Sequence, residues 1–247
     1  MQTIPLLHPH PSPAQAHPQP RRRPTVPSQV PPAEAPFPFT ISVAADEERL
    51  GKAAGMRSEA YGRHMPELRE KLNRIEPLDR EAGVCVLVAE AKQGGAAVGT
   101  IRIQTNQYRP LLIEQAVELP PSKGLVLAEL SRLAVSQEPI GTMAKLAIFK
   151  ATYQYCLLAG IDRLVIGARS PLDRQYRGLL FDDLFPGKGM IPLPYVNNVP
   201  HHILFLDIPT AAMCWEAARN PMHRFLVEPN HPDIDFGLTR ELTEALQ

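Results

Sequence analysis

Apolar runs broken by turn-forming residues lay out most of the chain. Residues 39–43 alternate apolar and polar positions, as a half-buried strand does. Asp46 precedes a segment that reads as a helix to about residue 63. An aspartate there accepts from the free N–H groups of the first turn, and Glu47 and Glu48 lie at the positive end of the helix dipole. Residues 84–91 are a continuous apolar run bounded by Gly83 and by Gln93-Gly94-Gly95. A second run over 97–104 follows directly, so the two predict a hairpin. A longer strand is expected over 126–135. Glu138-Pro139-Ile140-Gly141 ends it, and Thr142 is placed to cap a long helix to about residue 159, closed by Gly160. That helix is apolar nearly all round, with Met143, Leu146, Ile148, Phe149, Tyr153 and Cys156, the pattern of a helix buried against a sheet. Strands are further expected over 164–168 and 202–208, and helices over 172–180 and 210–220. A hairpin followed by strand–helix units predicts an α/β fold, a mixed central sheet with helices on its faces.

Composition adds a boundary. Twelve of the 27 prolines fall within residues 1–39, together with His8, His10, His17 and the run Arg21-Arg22-Arg23. Such a segment has too little apolar surface to offset its ordering entropy, so residues 1–38 read as a disordered, proline-rich arm and 39–247 as one domain. Lys and Arg number 26 against 26 Asp and Glu, a net charge of zero that argues against a nucleic-acid partner held by a broad positive field. No stretch approaches the roughly 20 apolar residues of a membrane helix. The first residues lack the basic and apolar regions of a secretory signal. Cys85, Cys156 and Cys214 are an odd, widely spaced set in apolar context, which excludes a disulfide framework and a CxxC metal site. They read as buried thiols in a reducing cytoplasm.

The usual glycine-rich phosphate loops, the GxSxG nucleophile elbow and the HExxH zinc motif are all missing. His201 and His202 are adjacent in a strand and point to opposite faces, so they do not share a metal. The unusual feature is charge inside apolar strands: Arg102 within Val98-Gly99-Thr100-Ile101-Arg102-Ile103, and Glu129 and Arg132 within 125–135. Burying such groups unpaired costs several kcal/mol each, so they pair, face water or line a cleft. Glu129 and Arg132 are three apart and belong on opposite faces unless a bulge intervenes.

These residues resemble a known family. Glu129-Leu130-Ser131-Arg132 is similar to the Glu-x-Ser-Arg strand of the acyl-homoserine-lactone synthases and the related long-chain N-acyl amino acid synthases of the FeeM type. Met56-Arg57-Ser58-Glu59-Ala60-Tyr61 resembles their Arg-x-x-x-aromatic helix, Asp79 in Glu76-Pro77-Leu78-Asp79 their acidic loop, and Gly99-Thr100-Ile101-Arg102 their Gly-x-x-Arg strand. The resemblance runs in order over about residues 40–208. It implies a GNAT-like (acyl-CoA N-acyltransferase) fold working on thioester donors. Two departures favour the N-acyl amino acid branch: residues 62–72 contain no Trp, and the acidic loop is sparsely charged. The family's coenzyme A loop is not met by Gln137-Glu138-Pro139-Ile140-Gly141-Thr142, which favours an acyl carrier protein over coenzyme A as donor.

The chemistry fits the residues. An amino acid's α-ammonium, with a pKa near about 8, must lose a proton before it can attack a thioester. Glu129 is the candidate catalytic base. Arg102 or Arg132 would grip the substrate carboxylate as a planar fork, with Arg57 and Asp79 as partners fixing the arginines; the alternative is that the arginines are the structural part of one ion-pair network. Strand N–H groups where paired strands splay would meet the oxyanion. Leu127, Leu130, Leu133, Leu146, Phe149 and Tyr153 are candidates for an acyl tunnel and equally for ordinary core. Tyr176 reads as surface packing with an outside role as an acid. Arg169, Arg174, Arg177 and Lys188 are a candidate landing patch for an acidic carrier protein and equally, diluted by Asp173, Asp182 and Asp183, an ordinary solvated face. The expected function is therefore transfer of a fatty acyl group from a carrier protein to an amino acid amine, with no metal and no tightly bound cofactor. The alternatives are an acyl-homoserine-lactone synthase using S-adenosylmethionine, and a non-catalytic acyl-chain or carrier-protein binding module.

Overall fold

A computed structural model describes residues 35–120, 124–228 and 231–237. Most of the arm read over 1–38 lies outside the described residues. The strands are β1 (Phe39–Val43), β2 (Val84–Ala91), β3 (Ala97–Thr105), β4 (Leu127–Val135), β5 (Arg163–Ala168), β6 (Asp182–Asp183), β7 (Ile191–Leu193), β8 (Val199–Asp207) and β9 (Ile234–Asp235). The helices are α1 (Glu47–Gly62), α2 (Pro66–Leu72), α3 (Pro139–Leu158), α4 (Leu172–Gly178), α5 (Ile208–Ala217) and α6 (His223–Val227). The strands form one sheet in the order β6-β8-β5-β4-β3-β2-β1-β9, with β7 paired to β8. Pairing is antiparallel except for β4 with β5 and β1 with β9.

The apolar run of β2 is continuous because both of its faces are covered. Val86 and Val88 pack with Leu50 and Ala53 of α1. Cys85, Leu87 and Ala89 pack with Ala144, Ile148 and Ala151 of α3. Asp46 caps α1 as expected, accepting from the Arg49 N–H at 2.8 Å.

α3 starts earlier than expected. Glu138, not Thr142, is its N-cap, and Pro139 occupies the first helical position, where a missing N–H costs nothing and the fixed φ suits the helix. Gly141 is needed there for space, since a Cβ would stand 2.0 Å from the Ser136 carbonyl oxygen at the exit of β4. β8 begins at Val199 and α5 at Ile208, each a few residues before its expected start.

Packing also begins before residue 39. Phe37 is buried in the core, its N–H bonds Asp233 Oδ2 at 2.7 Å, and its ring stacks on His231 at 3.8 Å. Cys85 and Cys156 are buried, but Cys214 is exposed. Its helix turns Ala211 and Trp215 inward and leaves position 214 on the outer side.

Candidate active site

Strand β4 carries the site, and its ladder is irregular. Thr100 pairs with Ala134 but Arg102 pairs with Ser131, so β4 holds one extra residue between them. Arg132 is that bulge, with φ of 56°. The bulge shifts the alternation by one, and Glu129, Ser131 and Arg132 come to share the face that carries Arg102.

On that face three guanidinium groups meet two carboxylates. Arg57 Nη1 lies 2.6 Å from Asp79 Oδ2, and Arg102 Nη1 lies 3.2 Å from Asp79 Oδ1. Arg132 donates from Nε and Nη2 to the two oxygens of Glu76, both at 2.7 Å. Glu76 also stands 3.5 Å from Arg57 and 3.4 Å from Arg102. Arg102 Nε reaches Ser131 Oγ at 3.2 Å. The four sequence-predicted residues Arg57, Asp79, Arg102 and Arg132 are thus brought together, with Glu76 at the hub. Burial opposes the charge on Glu76, but the hydrogen-bonded Arg132 and the charges of Arg102 and Arg57 outweigh it and hold its pKa at about 2. Three cations against two anions leave one positive charge for a further anion to balance.

Glu129 stands apart from this network. Its carboxylate accepts the Tyr195 hydroxyl at 2.8 Å and the Ile113 N–H at 2.8 Å, and it is 1% exposed. Burial raises its pKa against the lowering effect of those two hydrogen bonds. Glu129 and Arg132 are therefore not partners, although they are neighbours in sequence.

A cleft of about 530 Å³ opens beside them. It lies where β4 and β5 part: their ladder runs from Leu127↔Arg163 to Leu130↔Ile166, while β4 continues to Val135 and β5 to Ala168. Residues 129–135 and 166–168 line it. Beyond Leu130 and Ile166 the two strands no longer pair with each other, and their main chains border the cleft. Of the expected tunnel residues, Leu130 and Leu133 line the cleft with Met65, Leu68 and Ile166. Leu146, Phe149 and Tyr153 belong instead to the core between α3 and the sheet, and Leu127 to a separate cluster with Leu111 and Val165. Tyr176 is not surface packing: it is buried, lines the cleft, and meets Phe149 edge-on at 5.4 Å.

Of the four cations of the expected landing patch, Arg169 lines the cleft, Arg177 pairs with Asp183 at 3.2 Å, and Lys188 lies over the Phe185 ring. The cleft walls also carry Arg63, Lys71, Arg132 and Lys145. Glu129 is the only carboxylate among the described residues that line it. Burial lowers the pKa of Lys145, whose Nζ donates to Gln175 at 2.8 Å.

Glu76 and Tyr195 went unread in the sequence. Glu76 had a local signal, since Glu76-Pro77-Leu78-Asp79 is spaced for a capped turn, and the Glu76 N–H does bond Asp79 at 3.2 Å. Tyr195 had none.

No curated protein sequence matches the chain. Among solved structures, FeeM, an N-acyl amino acid synthase from uncultured soil microbes, superimposes with a TM-score of 0.56 at 15% identity, covering 76% of this chain and 97% of FeeM. BjaI, a CoA-dependent acyl-homoserine lactone synthase bound to MTA, gives a TM-score of 0.56 at 18% identity over 84% of this chain and 98% of its own. At such identities these likenesses establish the fold, which is GNAT-like. The family model of the N-acyl amino acid synthase FeeM matches residues 52–206, a span that takes in α1 from Lys52 onward, the Glu76–Asp79 turn, the bulged strand and Tyr195. With well over half of its length matched, the chain belongs to the FeeM family, and it is an N-acyltransferase.

Proposed function

We propose that the protein joins a fatty acyl group, carried as a thioester on an acyl carrier protein, to the α-amine of an amino acid. The observation that carries this reading is the cleft's charge: among the described residues that line it, one buried carboxylate, Glu129, faces five Lys and Arg side chains. An amino acid needs that combination, a base for its ammonium and a cation for its carboxylate. S-adenosylmethionine brings a sulfonium, which a wall of Arg63, Lys71, Arg132, Lys145 and Arg169 repels.

Each group then has a task. Glu129 takes the proton from the ammonium, and its raised pKa brings it closer to that of the amine. The amine attacks the thioester carbonyl, and the oxyanion is held by N–H groups of the parted strands β4 and β5. The C–N bond forms, the C–S bond breaks, and the thiolate leaves to be protonated. Arg132 meets the substrate carboxylate with Nη1, the donor that Glu76 does not occupy. Arg102, Arg57, Asp79 and Glu76 hold Arg132 in place and supply the unbalanced positive charge. Leu130, Leu133, Met65 and Leu68 receive the acyl chain.

The carrier-protein donor is supported by the first turn of α3. Its sequence departs from the coenzyme A loop, and Gly141 is packed hard against Ser136, which leaves little freedom for that turn to open around a pyrophosphate.

The test is thiol release from lauroyl-carrier protein and from lauroyl-coenzyme A, each with the protein amino acids in turn and with S-adenosylmethionine, products identified by mass spectrometry. We expect linear amides and faster turnover with the carrier protein. Lactone products would move the enzyme to the homoserine-lactone branch, and faster turnover with coenzyme A would overturn the donor assignment.

A further inference from the structure

Glu129 has a problem of access. It is 1% exposed, yet a base must reach the proton it removes. Its oxygens are also occupied, Oε2 by the Ile113 N–H and Oε1 by the Tyr195 hydroxyl, each at 2.8 Å. Tyr195 is better placed. It sits on a 3-10 turn, Pro194–Val196, between β7 and β8, is only partly buried, and lines the cleft beside Glu129. The turn is followed by Asn197 and Asn198, both left-handed (φ 57° and 56°), a conformation asparagine tolerates better than most residues. A phenol is donor and acceptor at a single atom. With its hydrogen committed to Glu129, its lone pairs remain to accept.

We propose that Tyr195 is a catalytic residue that relays the substrate's proton to Glu129. The relay rests on the reading of Glu129 as the general base. The ammonium passes a proton to Tyr195 Oη as the Oη hydrogen moves to Glu129 Oε1. One N–H bond is lost, one O–H bond is exchanged at the phenol, and one O–H bond is gained at the carboxyl. Tyrosine ends neutral, as it began, the carboxylate ends as the acid, and the amine is free to attack. Moving both protons together avoids a tyrosinate, which burial and the neighbouring Glu129 make costly.

The experiment uses lauroyl-carrier protein with whichever amino acid gives most product in the screen above. In mixed H₂O and D₂O, wild-type kcat should follow a bowed curve, because two protons are in flight. Tyr195→Phe keeps the ring and removes Oη. It should lower kcat by about 10²-fold, the low end for acid–base groups, and give a straight isotope line. The acidic limb of its kcat/KM profile should move to higher pH, because the lost hydrogen bond favoured ionised Glu129. A straight wild-type line overturns the relay without recourse to any variant. So does a Tyr195→Phe enzyme with unchanged kcat and an unmoved limb, and both results leave Glu129 standing as base. Full activity in Glu129→Gln removes the base itself, and the relay with it.

Discussion

Arg132 and Glu76 meet fork to fork, two parallel hydrogen bonds of 2.7 Å across 56 residues of sequence. The pair ties the turn after α2 to the bulge of β4. It also helps to hold Arg132 in a left-handed conformation that costs a non-glycine residue on the order of 1–3 kcal/mol. Only a planar guanidinium makes both bonds at once. Arg132→Lys is therefore expected to lower stability by about 2 kcal/mol and to raise KM for the amino acid more than it lowers kcat. Urea unfolding and steady-state kinetics on the one variant check both parts.

Acid should loosen the same knot. Glu76 titrates at about 2 in the fold against an ordinary 4.5. Between those values the unfolded chain binds more protons, so the stabilisation is complete above about pH 4.5 and drains away as pH falls toward 2. The shift corresponds to roughly 2–3 kcal/mol once solvent reaching a 17% exposed side chain is allowed for. Glu76→Gln should be less stable than wild type at pH 7 and should flatten the stability profile below pH 4.5. Denaturant titrations at several pH values measure the slope.

Glu129 has the opposite sign. Its folded pKa is raised, so above the ordinary carboxyl value the folded chain binds more protons than the unfolded one, and stability falls as pH rises through that window. Glu129→Gln removes a charge that burial disfavours and keeps the shape. It should melt no lower than wild type at pH 7 while losing about 10²–10⁴ in kcat. A variant that unfolds would make Glu129 structural rather than catalytic.

Phe37 is packed as core, stacked on Phe39 at 5.1 Å and on His231 at 3.8 Å. Phe37→Ala should cost about 3–5 kcal/mol, the usual penalty for emptying a buried aromatic site. Thermal melting tests it, and a loss under about 1 kcal/mol would show that residues 35–38 do not contribute to the core.

The cleft offers a separate handle on the donor. Leu133 lines it next to the bulge at Arg132 and is one of the side chains assigned to the acyl chain. Leu133→Trp should shift preference toward shorter acyl chains, measured as kcat/KM ratios across a series of saturated donors.

Much of this was legible in the sequence, for a definable reason. Strands and helices announce themselves by periodicity, and a charge in an apolar strand announces itself by its cost. That logic picked out Glu129, Arg102 and Arg132, and with the family resemblance Arg57 and Asp79. The parity argument for a bulge was also available, since Glu129 and Arg132 cannot otherwise share a face. What the pattern lacked was distance. Tyr195 reaches Glu129 across 66 residues, and nothing near position 195 hints at it. Leu130 and Leu146 share the core, yet Leu130 also lines the cleft and Leu146 does not, and both are leucines in apolar runs that the sequence alone does not tell apart. Thr142 failed as a cap because a proline starts a helix at its first position as readily as it ends a strand, here with no side-chain cap from Glu138.

The pairing of β1 with β9 has a consequence for the chain as it is made. β1 leaves the ribosome well before β9: Ile234 and Asp235 follow their partners Ile41 and Ser42 by 193 residues, and the Asp233 carboxylate that holds the Phe37 N–H follows it by 196. During most of synthesis, then, one edge of β1 presents unpaired main-chain groups and Phe37 has no His231 to stack on. A nascent chain stalled before residue 231 would expose a strand edge flanked by aromatic surface, the kind of template on which unfinished chains adhere to one another. Among the described residues, β9 with His231 and Asp233 covers that strand edge and that ring, so the β1 side of the sheet closes only once this segment has been made.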